Sequence, residues 1–153
     1  LFVLDLDQAV RSGSWEPELI TDQIYRNHGM WAGTLDGRDV LLLSGAEGVF
    51  EIVEDSAAAS GFALKKLLGN EVSEMVAADV DGDGRDELVT LEPFHGHRLR
   101  VYKRGGNDEW ESAWETNDLA FAHGLNVIPC GDVQVVFAVS RRECRELHVL
   151  HFT

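Results

Sequence analysis

One order of short segments recurs along this chain, and it restricts the fold more than any other feature. A short apolar run leads into a Gly/Asp turn, a β-branched run leaves it, and two further runs close the unit. The central copy has Ser73-Glu74-Met75-Val76-Ala77-Ala78 before the turn and Leu88-Val89-Thr90-Leu91 after it, then Leu99-Arg100-Val101-Tyr102 and Trp110-Glu111-Ser112-Ala113-Trp114. An earlier copy starts at His28-Gly29-Met30-Trp31, continues through Val40-Leu41-Leu42-Leu43 and Val49-Phe50-Glu51-Ile52-Val53, and ends on residues 62–68. That last run reads as a strand, with a short helix as the alternative. A later copy runs through His123-Gly124-Leu125-Asn126-Val127-Ile128, Val135-Val136-Phe137-Ala138-Val139 and Leu147-His148-Val149-Leu150. Aligning His28, Ser73 and His123 spaces the copies by about 45 and 50 residues, the size of a four-stranded antiparallel unit. No convincing amphipathic helix interrupts the pattern, so an all-β fold is expected.

The central turn differs from the other two. Asp79-Val80-Asp81-Gly82-Asp83-Gly84-Arg85-Asp86-Glu87 places carboxylates at loop positions 1, 3 and 5, and its glycines permit the tight turn that makes them converge on one hard cation. A helix-loop-helix calcium hand needs Glu at position 12, which here is Thr90, and the flanking runs read as strands. The plain alternative is an Asp/Gly turn that binds nothing. Leu35-Asp36-Gly37-Arg38-Asp39 and Cys130-Gly131-Asp132 keep a turn without the ligands.

With strands on both sides, the segment resembles the FG-GAP or VCBS repeat, the calcium-loop blade of β-propellers such as integrin α-chain heads, although Glu87 replaces the usual closing Asp. The resemblance is specific over residues 76–102 and only patterned elsewhere. It implies blades of four antiparallel strands and one Ca2+ held by side chains of Asp79, Asp81, Asp83 and Glu87 and by the Arg85 carbonyl. The expected organisation is residues 1–21 as outer strands of a preceding blade, 22–70 as a blade with a degenerate loop, 71–117 as the calcium-loop blade and 118–153 as an incomplete last blade. The chain is thus expected to be part of an open propeller, whose partners are further blades of a parent chain or copies of itself.

Charge narrows the function. Asp and Glu number 27 against 13 Lys and Arg, a formal charge of -14, which disfavours nucleic acid and anionic membrane surfaces. No stretch approaches a membrane span. Around the 79–87 loop, Arg85 is the one neighbouring counter-charge in sequence. Cys130 and Cys144 are expected either to form one bridge or to stay as buried thiols. No Gly-rich phosphate loop, nucleophile elbow or Cys-x-x-Cys pair is present.

Two functional readings remain. In the first, the chain is a binding or scaffold module for a protein or carbohydrate ligand, stapled by structural Ca2+. In the second, it is part of a sugar-active enzyme, because propellers with these repeats also occur in polysaccharide lyases and, more weakly, in aldos-2-ulose dehydratase-like proteins. His28 and His123, at equivalent positions, and His95 and His97, between the second and third strands of the central unit, are then the candidate bases or metal ligands. A structural His-Gly turn is the alternative for the first pair, and a hairpin tip with two solvated imidazoles for the second. Trp15, Trp110 and Trp114 are read as packing residues of outer strands, and Trp31 as lying on an inner one. Convergence of several histidines with a carboxylate separates the two readings.

Overall fold

The structure, a computed structural model, describes residues 1–131, 133–141 and 145–152. These form four antiparallel sheets, none of them closed, and one short helix. A two-stranded pair joins β1 (Phe2–Val3) to β2 (Glu18–Leu19), with helix α1 (Leu6–Ser12) between them. Sheets of four follow in simple up-and-down order. The first contains β3 (Met30–Leu35), β4 (Arg38–Gly45), β5 (Gly48–Glu54) and β6 (Phe62–Leu68), and the second β7 (Glu74–Ala78), β8 (Glu87–Glu92), β9 (Arg98–Arg104) and β10 (Trp110–Thr116). A three-stranded sheet of β11 (Ala122–Cys130), β12 (Val133–Ser140) and β13 (Leu147–His151) ends the chain. The helix is too short to cross a membrane, and no other helix occurs among the described residues.

The reading of residues 1–21 as outer strands is corrected in part: strands occur at Phe2–Val3 and Glu18–Leu19, and helix α1 lies between them. The Asp5 side chain caps it by accepting from the Gln8 N–H, Asp7 and Arg11 pair one turn apart, and Gly13 closes it in the left-handed conformation. These local capping signals suffice to form a helix between the two strands. Trp15 accordingly lies outside any strand and is exposed, rather than packed in an outer one. Residues 62–68 form the strand and not the alternative helix.

The second sheet lies between the first and the third, and its side chains alternate between two cores. Val76, Ala78, Val89, Leu91, Leu99 and Val101 face one cluster with Ala122, Val136 and Ala138. Met75, Ala77, Leu88 and Tyr102 face the other, with Leu35, Val40 and Leu42. Burial on both faces explains why β8 is buried along its whole length and reads as a continuous apolar run closed by Glu87 and Glu92. Trp31 packs against both clusters where the sheets meet.

Candidate functional site

The hairpin of β7 and β8 carries a polar cluster at each end. At one end Glu74 pairs with Leu91, and at the other Ala78 pairs with Glu87, next to the acidic loop.

In that loop Asp79 serves the turn. Its Oδ1 accepts from the N–H groups of Gly82 (2.8 Å) and Asp83 (3.1 Å), and its Oδ2 from that of Gly84 (2.9 Å). Gly82 and Gly84 both have positive φ, so the turn depends on glycine. Oxygens of Asp79, Asp81 and Glu87 come within 4.8 Å of one another, close enough to share an ion. Asp83 falls outside that group, although its Oδ2 is 3.1 Å from Lys103 Nζ. Arg85 is present through its backbone N–H, which donates to Asp83 Oδ1 at 2.9 Å. The all-oxygen donor set suits a hard cation such as Ca2+. A cation of the chain itself is also there, because Lys103 Nζ contacts Asp81 Oδ2 and Asp83 Oδ2 and lies 3.6 Å from Glu87 Oε1.

The loop is also tied to the neighbouring sheet. Asp86 N–H donates to Asp36 Oδ1 and Asp36 N–H to Asp86 Oδ2, at 3.1 and 2.5 Å, so the turn without ligands supports the turn that has them. Arg104, 3.6 Å from Asp36 Oδ2, offsets the repulsion between these two carboxylates.

At the opposite end three imidazoles meet. The ring centroids of His28, His95 and His123 lie 4.8 to 5.4 Å apart, and one ring nitrogen of each is within 4.8 Å of the others. Each comes from a different sheet or its connection: the segment before β3, the turn between β8 and β9, and β11. Glu74, at the start of β7, places Oε1 2.8 Å from His28 Nδ1. That carboxylate is the partner of His28 Nδ1, whereas His95 Nδ1 is buried without a hydrogen-bond partner. A buried imidazole nitrogen without a partner, next to two further rings, is what a metal ion or a substrate hydroxyl would satisfy.

The backbone is built to hold this convergence. A Cβ on Gly29 would lie 2.5 Å from Ser44 Oγ and 2.6 Å from the Ser73 carbonyl, and one on Gly96 would strike the Glu92 carbonyl. The glycines following His28 and His95 are therefore required by close passage of the chain, which leaves the histidines themselves unexplained by the turn. Arg26, His95 and Phe121 all have positive φ, 48°, 50° and 54°. Such positions cost on the order of 1–3 kcal/mol each for residues other than glycine and gather at functional sites. Phe121 stacks on His95 with centroids 4.6 Å apart and planes 2° apart, while Phe94 packs edgewise on both His28 and His95. The N–H of Ala122 donates to the Gly96 carbonyl at 2.8 Å, locking the His95 turn to the sheet that carries His123.

The reading of residues 93–97 as a solvated hairpin tip is thus corrected for His95, which is half-buried among rings, and holds for His97, which is exposed. Trp110 packs beneath Arg104, 4.4 Å from its guanidinium carbon. Trp114 is exposed on one side and meets Phe152 edgewise. Cys130 is an exposed thiol, not a buried one, while Cys144 and Asp132 lie outside the described residues.

Burial, followed by the neighbouring His123 and His28, holds the His95 imidazole below its ordinary value of 6.5. Burial pushes the Glu74 carboxyl above its ordinary 4.5, opposed by His28. A carboxyl of raised pKa against the His28 ring is an arrangement suited to moving a proton. The stabilisation tied to neutral His95 is present above 6.5 and is lost as pH falls through its lowered folded value. In the metal-free protein, an NMR titration of His95 is expected to give a midpoint below 6.5; a midpoint at or above it would show the ring to be solvated.

Lys103 and Glu74 are the members of the two clusters that the sequence alone did not single out. Comparison with known protein families finds no family that matches this chain, and comparison with curated proteins finds no match either.

Proposed function

We propose that this chain is part of a β-propeller of the FG-GAP/VCBS type and that its chemistry resides in the histidine cluster, which makes it a sugar-active protein of the lyase or dehydratase kind. The convergence of His28, His95 and His123 with Glu74 carries this reading. Scattered histidines would have favoured a scaffold alone. Successive up-and-down sheets whose first strands approach one another support the propeller arrangement. The apolar side chains of Ile128, Val139, Leu147 and Val149, exposed on the last sheet, suit contact with a further blade.

The reaction class is abstraction of a proton next to a carbonyl or carboxyl, followed by elimination. In this proposal the Glu74 carboxylate, 2.8 Å from His28 Nδ1, orients that ring and accepts the proton, the imidazole nitrogens being committed to the metal. The C–H electron pair forms the new double bond, and the leaving oxygen departs with the electrons of its own bond. A Zn2+ on the three imidazoles would polarise the carbonyl as a Lewis acid. Phe94 and Phe121 wall the cluster with apolar surface, which strengthens electrostatic interactions there. The 79–87 loop, at the far end of the same hairpin, is the structural cation site, and its oxygen donors suit Ca2+.

Zinc titration by calorimetry tests the centre, and ultraviolet absorbance of unsaturated products from acidic polysaccharides and 2-ketoses tests the reaction. One equivalent of zinc and a metal-dependent rise in absorbance are expected. Absence of zinc binding together with absence of any unsaturated product would return the chain to the scaffold reading.

A further inference from the structure

We propose that Lys103 is a built-in competitor for the cation of the 79–87 loop: its ammonium takes the place toward which the carboxylates turn, and Ca2+ enters only by expelling it. This rests on the reading of the loop as a cation site. The loop already holds a cation of the chain itself, the Lys103 ammonium.

The carboxylates divide their oxygens in the same way. Asp81 Oδ1 accepts from the Asp83 N–H at 3.3 Å, Asp83 Oδ1 from the Arg85 N–H at 2.9 Å, and Glu87 Oε2 from the Val80 N–H at 3.0 Å. The second oxygen of each is the one nearest Lys103 Nζ. The backbone therefore presents three oxygens inward, and the ammonium sits among them. Lys103 is not part of the loop. It comes from β9, where Tyr102 lies opposite Leu88, so the next residues, Lys103 and Glu87, are cross-strand neighbours. Glu87 is 2% exposed, and its inward oxygen reaches a cation from the sheet rather than from solvent.

The charges explain why both states are accessible. Asp81, Asp83 and Glu87 bring three negative charges to a small volume, and one ammonium offsets only part of their repulsion. A divalent ion offsets more, but must displace Lys103 first. Arg85, Asp86, Asp36 and Arg104 surround the loop without entering it: the Asp36–Asp86 exchange fixes the turn, and Arg104 is held at Asp36 and Asp108. A site whose binding-competent state is only fractionally populated binds its ligand more weakly by that fraction. Lys103 thus sets the loop's calcium affinity and keeps the turn closed when calcium is scarce.

The test is calcium titration of the chelator-treated chain and of Lys103→Met, with acylation of Lys103 in the unsubstituted chain as a second measurement that needs no variant. Lys103→Met is expected to bind one Ca2+ about tenfold tighter or more. In the unsubstituted chain Lys103 is expected to resist acylation in chelator and to become reactive when Ca2+ saturates the loop. Equal affinity in the two proteins, or Lys103 equally reactive with and without saturating calcium, overturns the competition and leaves the calcium reading intact. No calcium binding by either protein overturns both.

Discussion

His95→Asn is expected to abolish stoichiometric zinc binding and, with it, the proposed elimination activity, while leaving the melting temperature close to that of the unsubstituted chain. Asparagine is the informative replacement because His95 has φ of 50°, a left-handed conformation that Asn adopts readily and Ala resists. The ring lies 5.0 Å from His28 and 4.8 Å from His123, so its loss leaves two imidazoles where the proposed centre needs three. Glu74→Gln is expected to act through His28. Outer-shell carboxylates that orient metal-bound imidazoles contribute about 10–100-fold to metal affinity, and a loss in that range is expected. Zinc calorimetry on both variants separates the roles. If His95→Asn binds zinc as the unsubstituted chain does, there is no three-histidine centre.

The two ends of the β7–β8 hairpin have different tasks under this reading. Glu74 and Ala78 are four residues apart on one strand, about 13 Å at 3.3 Å per residue. The 79–87 loop fixes one end, and the histidine cluster uses the other. Preorganised chemistry depends on rigid supporting elements, and a hairpin buried on both faces provides one. Lys103 fits the same logic, since a loop that closes on an internal ammonium keeps the hairpin registered when calcium is low.

Much of this arrangement was legible in the residues, because strand periodicity and Gly/Asp turns are local signals. The order of the long strands, the acidic turn and the equivalence of His28 with His123 are all written in short windows. What was hidden depends on register. Lys103 lies 16 residues beyond Glu87 in sequence but beside it across the sheet, so a count of nearby charges found only Arg85. Glu74 looked like one more acid in an acidic stretch until β7 brought it to His28. His95 and His97 were equivalent on paper, and the turn that buries one and exposes the other follows from the contacts of Gly96 and Phe121. Helix α1 was missed for the opposite reason. Its caps are local, but a short segment of mixed pattern next to strands reads as one more strand.

Arg100→Met is expected to cost about 3–5 kcal/mol of stability. Glu92 closes β8 with 3% exposure, and its Oε1 accepts from Thr90 Oγ1 at 2.7 Å and from the Tyr102 hydroxyl at 2.8 Å. Arg100 supplies the balancing charge, with Nη1 3.2 Å from Glu92 Oε2. Its Nε and Nη2 donate to Glu115 Oε2 at 2.9 and 2.5 Å, which holds the guanidinium over the buried carboxylate. Methionine fills similar space but leaves Glu92 buried without a cation, which is the costly way to break such a pair. Neutralising both partners, as in Arg100→Met with Glu92→Gln, removes the stranded charge and keeps an acceptor for Thr90 and Tyr102, so the double variant is expected to recover most of the loss. Burial pushes the Tyr102 hydroxyl above its ordinary value of 10.0. Its contribution is present in full below 10.0 and is lost as pH rises through the raised folded value, so this part of the network's stabilisation is expected to weaken only above pH 10. Urea unfolding of the single and double variants decides the matter. A single variant that loses less than about 1 kcal/mol would mean that Glu92 reaches water and that the network adds little to the sheet supporting the histidines.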